Sequence, residues 1–182
     1  MSRKIAPVPK GYRTVTSNLV VQGADAASDY YAKVFGATVL SRIVGDDGVT
    51  VLQAELKIGN SIVRLMDEMP AFGVYSPLAL GGSAVGLHLY LREVDEVWDN
   101  AMANGAGVLV PLADMPWGER YAKFVDPFGH VWSVSKRIAV PASGKQDGTQ
   151  KAEGFSVHEP RADLLEPASE QAVADVQQGE AA

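Results

Sequence analysis

The 182-residue sequence contains no cysteine. Disulfides, thiolate nucleophiles, zinc–thiolate sites and iron–sulfur clusters are therefore excluded, and the composition is compatible with a reducing compartment. No stretch approaches the roughly 18 apolar residues that a membrane-spanning helix requires. The first residues, MSRKIAPVPKGYR, are basic but lack the apolar segment of a secretory signal. We therefore expect a cytoplasmic protein with no membrane segment.

A basic excess is also lacking, and the acidic residues are concentrated near the C-terminal end. Of 16 Lys and Arg and 22 Asp and Glu residues, three and eight lie from Ala139 onward, which leaves 13 and 14 for the rest. Nucleic acid is therefore a poor candidate partner. The segment after Arg137 has one aromatic residue and is rich in Gly, Ser, Gln, Ala and Glu. We predict a globular domain at residues 12–137 and an acidic, disordered tail at residues 138–182.

Motifs that would identify a common reaction are missing as well. The chain has no glycine-rich dinucleotide or phosphate loop, no HExxH and no GxSxG sequence. Function must therefore be inferred from the fold and from side chains that share one face of it.

The order of predicted elements is present twice in the chain. A β-branched strand is followed by a helix with apolar residues at helical spacing, and then by three strands separated by turns. Both helices end at a glycine, Gly36 in the first half and Gly105 in the second. The fold prediction is therefore α+β, with two paired βαβββ modules. The predicted strands are residues 14–22, 37–44, 49–58, 61–68, 85–93, 107–112, 120–125 and 131–137, and the predicted helices are residues 24–37 and 94–106.

The last turn of the second module has a specific signature. Asp126, Pro127 and Gly129 occupy the first, second and fourth positions of a type I turn. His130 follows directly and precedes the last strand. We interpret His130 as a surface residue beside a turn and not as a catalytic residue.

Four stretches of the chain together resemble the vicinal-oxygen-chelate superfamily of glyoxalases, bleomycin-resistance proteins and dioxygenases, and within it the PhnB-like group. The four stretches are NLVVQGADAASDYYAKVFGA, AELKIGNSIVRLMDEMP, HLYLREVDEV and WGERYAKFVDPFGHVWSV. The resemblance covers roughly residues 12–137 and is more specific for fold than for reaction. It implies two curled sheets that enclose a cleft, helices on their outer faces, and a homodimer.

The resemblance also implies where a metal ion would bind. Metal-dependent members place one ligand on the first strand and one on the last strand of each module, and the ion polarises substrate oxygens. Carried over to this sequence, the four positions fall near Thr16 and Arg64 in the first module and on His88 and Ser133 in the second. His88 alone matches, and the Arg64 guanidinium has no lone pair to offer. A divalent metal is therefore disfavoured, and no cofactor is expected.

Strand alternation assigns polar and aromatic side chains to the cleft, while the leucines between them face the core. Arg64 would pair with an anionic group of a ligand, and the aromatic side chains would stack on a ring. The set suits a small, partly aromatic or anionic organic molecule. The predicted ligand-binding residues are Gln53, Glu55, Arg64, His88, Tyr90, Trp117 and Tyr121.

Two functions remain open, and with them the question of whether any reaction is catalysed. The first is a binding or sequestering protein of the bleomycin-resistance type, which the missing metal ligands favour. The second is a glyoxalase-like lyase or isomerase, or a dioxygenase, that uses a divalent metal or a base such as His88 or Glu55. Individual residues also have structural alternatives. Arg64 could form a salt bridge with Glu55 or Glu68, and His88 could be a hydrogen-bonded histidine of the sheet.

Overall fold

The computed structural model describes residues 6–138. The chain divides after Ser76 into two compact units. The predicted tail begins at residue 138, so all of it except Ile138 lies outside the described residues. Within the described part of the chain, no helix is both long enough and apolar enough to cross a membrane.

Each unit contains one four-stranded sheet and its elements follow the βαβββ order, which confirms the predicted fold. The first unit consists of β1 (Ser17–Val21), α1 (Ala24–Phe35), β2 (Thr38–Val44), β3 (Val51–Ile58) and β4 (Ser61–Asp67), followed by a 3-10 turn at Pro70–Phe72. The second unit consists of a short helix α2 (Pro77–Leu80), β5 (Gly86–Tyr90), α3 (Val94–Ala103), β6 (Gly107–Met115), β7 (Glu119–Val125) and β8 (Val131–Arg137).

Three predicted strands differ from the structure by three residues at one end: the first strand, β5, which ends at Tyr90 instead of residue 93, and β6. The first strand begins at Ser17 instead of residue 14, because the β-branched Val15 is 85% exposed and has little to pack against. Strand β6 continues to Met115, beyond the predicted end at residue 112, because Met115 still pairs with Glu119 of β7. The hairpin formed by β6 and β7 is therefore longer than the sequence pattern indicates.

The two sheets have the same topology. Their strand orders are β1-β4-β3-β2 and β5-β8-β7-β6. In each sheet the first and last strands of the unit pair in parallel, and the remaining neighbours are antiparallel. This shared arrangement places the first and last strands of each unit side by side, so that residues far apart in sequence become neighbours.

Each sheet buries one face beneath its helix, and we call the opposite face the helix-distal face. In the first unit Val63 and Leu65 of β4 are buried, as is Val34 of α1. Arg64 alternates with them and is half-buried on the helix-distal face. Helix α1 ends at Phe35, two residues before the end of the predicted range, because Gly36 adopts φ 64° and its N–H bonds to the Ala32 carbonyl.

The second unit is built in the same way. Trp132 and Val134 of β8 are fully buried, and Phe124 of β7 packs beside them. The Trp98 ring of α3 meets Phe124 edge-on, with 6.4 Å between ring centroids. Ser133 lies between the two buried residues of β8 and belongs to the helix-distal face.

The turn before β8 forms as predicted, but His130 is buried and the surface assignment was wrong. The Gly129 N–H bonds to the Asp126 carbonyl at 3.0 Å, which closes the turn. The Asp126 carboxylate accepts from the backbone N–H groups of Phe128 and His130, both at 2.9 Å, and from Trp132 Nε1 at 2.8 Å. The Asp126 N–H also donates to the His130 carbonyl, so the backbone of His130 is bonded to Asp126 on both sides. His130 is therefore held within the turn and is 7% exposed.

Candidate functional site

His88 lies on β5 and is held by two serines of the neighbouring strand β8. Its Nδ1 is 2.8 Å from Ser133 Oγ, and its Nε2 is 3.1 Å from Ser135 Oγ. A serine hydroxyl can donate or accept, so the two serines satisfy both ring nitrogens in either neutral tautomer. The structure thus gives His88 the hydrogen bonds of a sheet histidine. A base or ligand role would require one of these bonds to break.

Aromatic side chains form a continuous row with His88 on this helix-distal face, and we call it the ring row. The Tyr90 ring contacts the imidazole edge-on, with centroids 4.6 Å apart. On the other side the Tyr121 ring lies nearly parallel to the imidazole at 6.2 Å, and Trp117 meets Tyr121 edge-on at 6.0 Å. The structure therefore brings together the four residues predicted in the second unit. Tyr90 is 66% exposed, so one end of the row faces solvent in this chain.

Glu119, which the sequence analysis missed, links the two ends of the ring row. Its carboxylate accepts a hydrogen bond from the Tyr90 hydroxyl at 3.0 Å and one from Trp117 Nε1 at 3.3 Å. The pKa of Tyr90 is raised, first because its hydroxyl donates to this carboxylate and next because the negative charge disfavours a phenolate. Glu119 thereby orients both rings and favours the protonated form of Tyr90.

The predicted residues of the first unit gather around the Glu55 carboxylate. Ser41 Oγ donates to Oε2 at 3.0 Å, and Gln53 Nε2 donates to Oε1 at 3.2 Å. The pKa of Tyr12 is raised, chiefly because its side chain hydrogen-bonds to Glu55. Tyr12 and Ser41 were not predicted. Ser41 could have been, because it is a polar residue on the strand that precedes Gln53 and Glu55 in a predicted hairpin.

Arg64 lies directly opposite Glu55 in the antiparallel pairing of β3 and β4. Even so, no carboxylate in the described residues lies within 4.0 Å of its guanidinium nitrogens, so the expected alternative of a salt bridge to Glu55 or Glu68 is wrong for this structure. Its Nε is buried and has no hydrogen-bond partner. Glu68 instead accepts from Gln22 Nε2 and from the Ser76 N–H.

The four positions implied for a metal ion do not supply a set of ligands. Asn18 lies opposite Arg64 in the parallel pairing of β1 and β4, whereas Thr16 precedes the strand, so the carry-over to Thr16 was wrong. In the second sheet His88 lies opposite Ser133. No group of three or more His, Cys, Asp or Glu side chains in the described residues could hold a metal ion. The donor chemistry of these residues does not fit a divalent ion.

Comparison with known proteins identifies the family. Residues 13–134 match the family described as Glyoxalase/Bleomycin resistance protein/Dioxygenase superfamily. The uncharacterized protein Rv0887c of Mycobacterium tuberculosis is 38% identical over 127 residues, which cover 68% of this chain and 74% of that protein.

Solved structures agree with this assignment. TioX from Micromonospora sp. ML1 is 28% identical, with a TM-score of 0.52 over 68% of this chain and 97% of TioX. A PhnB protein from Bacillus cereus is 20% identical, with a TM-score of 0.55 over 68% of this chain and 99% of that protein, and it shows the fold alone. The chain belongs to the glyoxalase/bleomycin resistance protein/dioxygenase superfamily, as its sequence resemblance predicted.

Proposed function

We propose that this member of the superfamily binds a small organic molecule with a planar aromatic part on the ring row, and that it sequesters this molecule without converting it. The observation that carries the proposal is the row itself, in which three rings on the strands of one sheet and Trp117 in the β6–β7 hairpin contact one another in sequence. Rings in edge-to-face and offset arrangements present both faces and edges to a further ring. Polar groups on such a surface are few and fixed, as in other small-molecule sites.

The proposed function uses neither a metal ion nor a general base. His88 already shares both ring nitrogens with Ser133 and Ser135, so its role on this face is that of an oriented flat ring. The alternative function, a glyoxalase-like lyase or isomerase or a dioxygenase, needs a metal or a base such as His88 or Glu55. Glu55 is occupied by the donors Ser41 and Gln53. No observation therefore favours the alternative.

The test is a titration of the full chain with 2-naphthol, a neutral planar probe, followed by backbone amide shifts in two-dimensional NMR. We expect saturable shifts in β5, β7 and β8, with and without a chelator. Replacing a ring by an aliphatic side chain, in Trp117→Leu and Tyr121→Leu, should weaken binding about two- to tenfold each, the equivalent of the ~0.5–1.5 kcal/mol that one ring pair contributes.

The matched control is Tyr75→Leu, since Tyr75 is an exposed aromatic residue of the first unit. It should leave the affinity for 2-naphthol unchanged. Equal affinities for the wild type, Trp117→Leu and Tyr121→Leu would contradict the proposal, and so would a requirement for a stoichiometric divalent metal. Native mass spectrometry of protein purified without chelator reports bound metal and subunit number together, and it thus also tests the homodimer that the sequence predicts.

A further inference from the structure

We propose that Arg64 and Asn18 form a binding site for a small oxyanion, such as a carboxylate or phosphonate group, on the helix-distal face of the first sheet. This inference rests on the first unit alone and does not depend on the ring row. Arg64 is a permanent cation with five N–H donors arranged in a planar fork, which matches the geometry of carboxylate and phosphonate oxygens.

The first observation is that the Arg64 guanidinium has donors to spare. Its Nε is buried without a hydrogen-bond partner, and no carboxylate of the described residues pairs with the group. Arg42 of the same sheet differs, since it donates to both oxygens of Asp25 at 2.7 and 2.6 Å. A buried, unsatisfied donor is unfavourable in a native protein and is usually satisfied by a ligand, an ion or water.

The second observation explains why Glu55 does not neutralise its cross-strand neighbour. Ser41 and Gln53 each donate to one oxygen of the carboxylate, and the Tyr12 hydroxyl also bonds to it. These three donors fix the Glu55 side chain by hydrogen bonds that do not involve Arg64. The guanidinium opposite thus stays available, although the nearby negative charge weakens the attraction of Arg64 for any anion.

The third observation is a second donor next to Arg64. Asn18 lies opposite Arg64 in the register of β1 and β4. Its Nδ2 donates to the thioether sulfur of Met66 at 3.3 Å. Because a thioether is a weak acceptor, an oxyanion would be a better partner for this amide. Met66 is two residues from Arg64, which places the Asn18 amide on the same face of the sheet.

The test follows the Arg64 Nε–H signal in two-dimensional NMR while sodium benzoate or methylphosphonate is added to the full chain at constant ionic strength. We expect a saturable shift of this signal with one or both oxyanions and none with chloride. The two organic anions distinguish a carboxylate site from a phosphonate site.

Variants define the contribution of each donor. Because Arg64→Gln lacks the Nε–H reporter, the affinities of all variants are measured from the backbone amide shifts of β1 and β4. Arg64→Gln should weaken binding at least tenfold, the scale of one charge-assisted hydrogen bond, and Asn18→Ala about threefold or more. Glu55→Gln should tighten binding, because it removes the adjacent negative charge. Arg42→Gln is the matched control, since Arg42 already has a carboxylate partner, and its affinity should equal that of the wild type.

Several results would overturn the site. The site is contradicted if the Arg64 Nε–H signal responds to neither oxyanion. This result is decisive even if Arg64→Gln fails to fold, because the titration uses the wild-type chain. A response to chloride equal to that to benzoate shows general screening instead of a site. An oxyanion affinity of Glu55→Gln that is no higher than that of the wild type shows that the anion does not bind beside Glu55, and it contradicts the assignment to Arg64. Failure of 2-naphthol to bind leaves this site standing, since the probe has no oxyanion.

Discussion

Replacing Asp126 by alanine tests how much the turn before β8 contributes to the stability of the fold. The carboxylate of Asp126 accepts three hydrogen bonds, from the backbone of Phe128 and His130 and from the indole of Trp132. Trp132 is fully buried, and the next residue is Ser133, whose hydroxyl holds His88. The substitution therefore removes the acceptor that fixes the beginning of β8.

The magnitude follows from the donors that lose this acceptor. The bonds to the His130 N–H and Trp132 Nε1 are buried, whereas the Phe128 N–H is only partly buried and can reach water. A buried donor deprived of its acceptor costs about 1–3 kcal/mol. Asp126→Ala should thus reduce the free energy of unfolding by about 2–6 kcal/mol, a large share of the ~5–15 kcal/mol typical of a native protein.

The assay is urea unfolding monitored by circular dichroism, completed as a double-mutant cycle with Trp132→Phe. Phenylalanine has no indole N–H, so Asp126→Ala should be less destabilising in that background by about 1–3 kcal/mol. A loss below about 0.5 kcal/mol for Asp126→Ala, typical of a neutral surface substitution, would refute the reasoning. Equal losses in both backgrounds would show that the indole bond contributes nothing.

Two further predictions concern a glycine and a tyrosine. Gly129→Ala should destabilise the fold by about 1–3 kcal/mol more than Gly59→Ala. Both residues have positive φ, but only at Gly129 would an added Cβ lie 2.9 Å from Pro77 Cβ. Thermal unfolding of both variants measures the difference. Glu119→Gln should lower the pKa of Tyr90 toward its ordinary value of 10.0, because the carboxylate raises it. The ultraviolet absorbance of tyrosinate, corrected with Tyr90→Phe, follows this titration, and an unchanged pKa would contradict the Tyr90–Glu119 bond. A tyrosine whose pKa is raised in the folded state stabilises the fold at any pH below its pKa in the unfolded chain. This small contribution is lost as the pH rises through the folded-state pKa. Glu119→Gln should therefore reduce the loss of stability at alkaline pH.

The sequence alone determined the repeated βαβββ order, the superfamily and the faces of the strands. Side chains alternate along a strand with a period of two, so a polar residue between buried apolar neighbours must face away from the helix. The sequence LHLYL therefore placed His88 and Tyr90 on one face, and IVRLM placed Arg64 on the corresponding face of the other sheet. Gly36 likewise identified a helix end, because glycine adopts the left-handed conformation without a steric penalty.

Tertiary structure alone decided which residues are neighbours on those faces. Periodicity assigns a side chain to a face but leaves the register between strands open, and register is set by backbone pairing across the sheet. The pairing of β5 with β8 brings Ser133 and Ser135 to His88, and the pairing of β1 with β4 brings Asn18, not Thr16, to Arg64. Side-chain hydrogen bonds decided the rest. Glu119 joins Tyr90 to Trp117, and three donors occupy Glu55 and leave Arg64 without a carboxylate partner among the described residues.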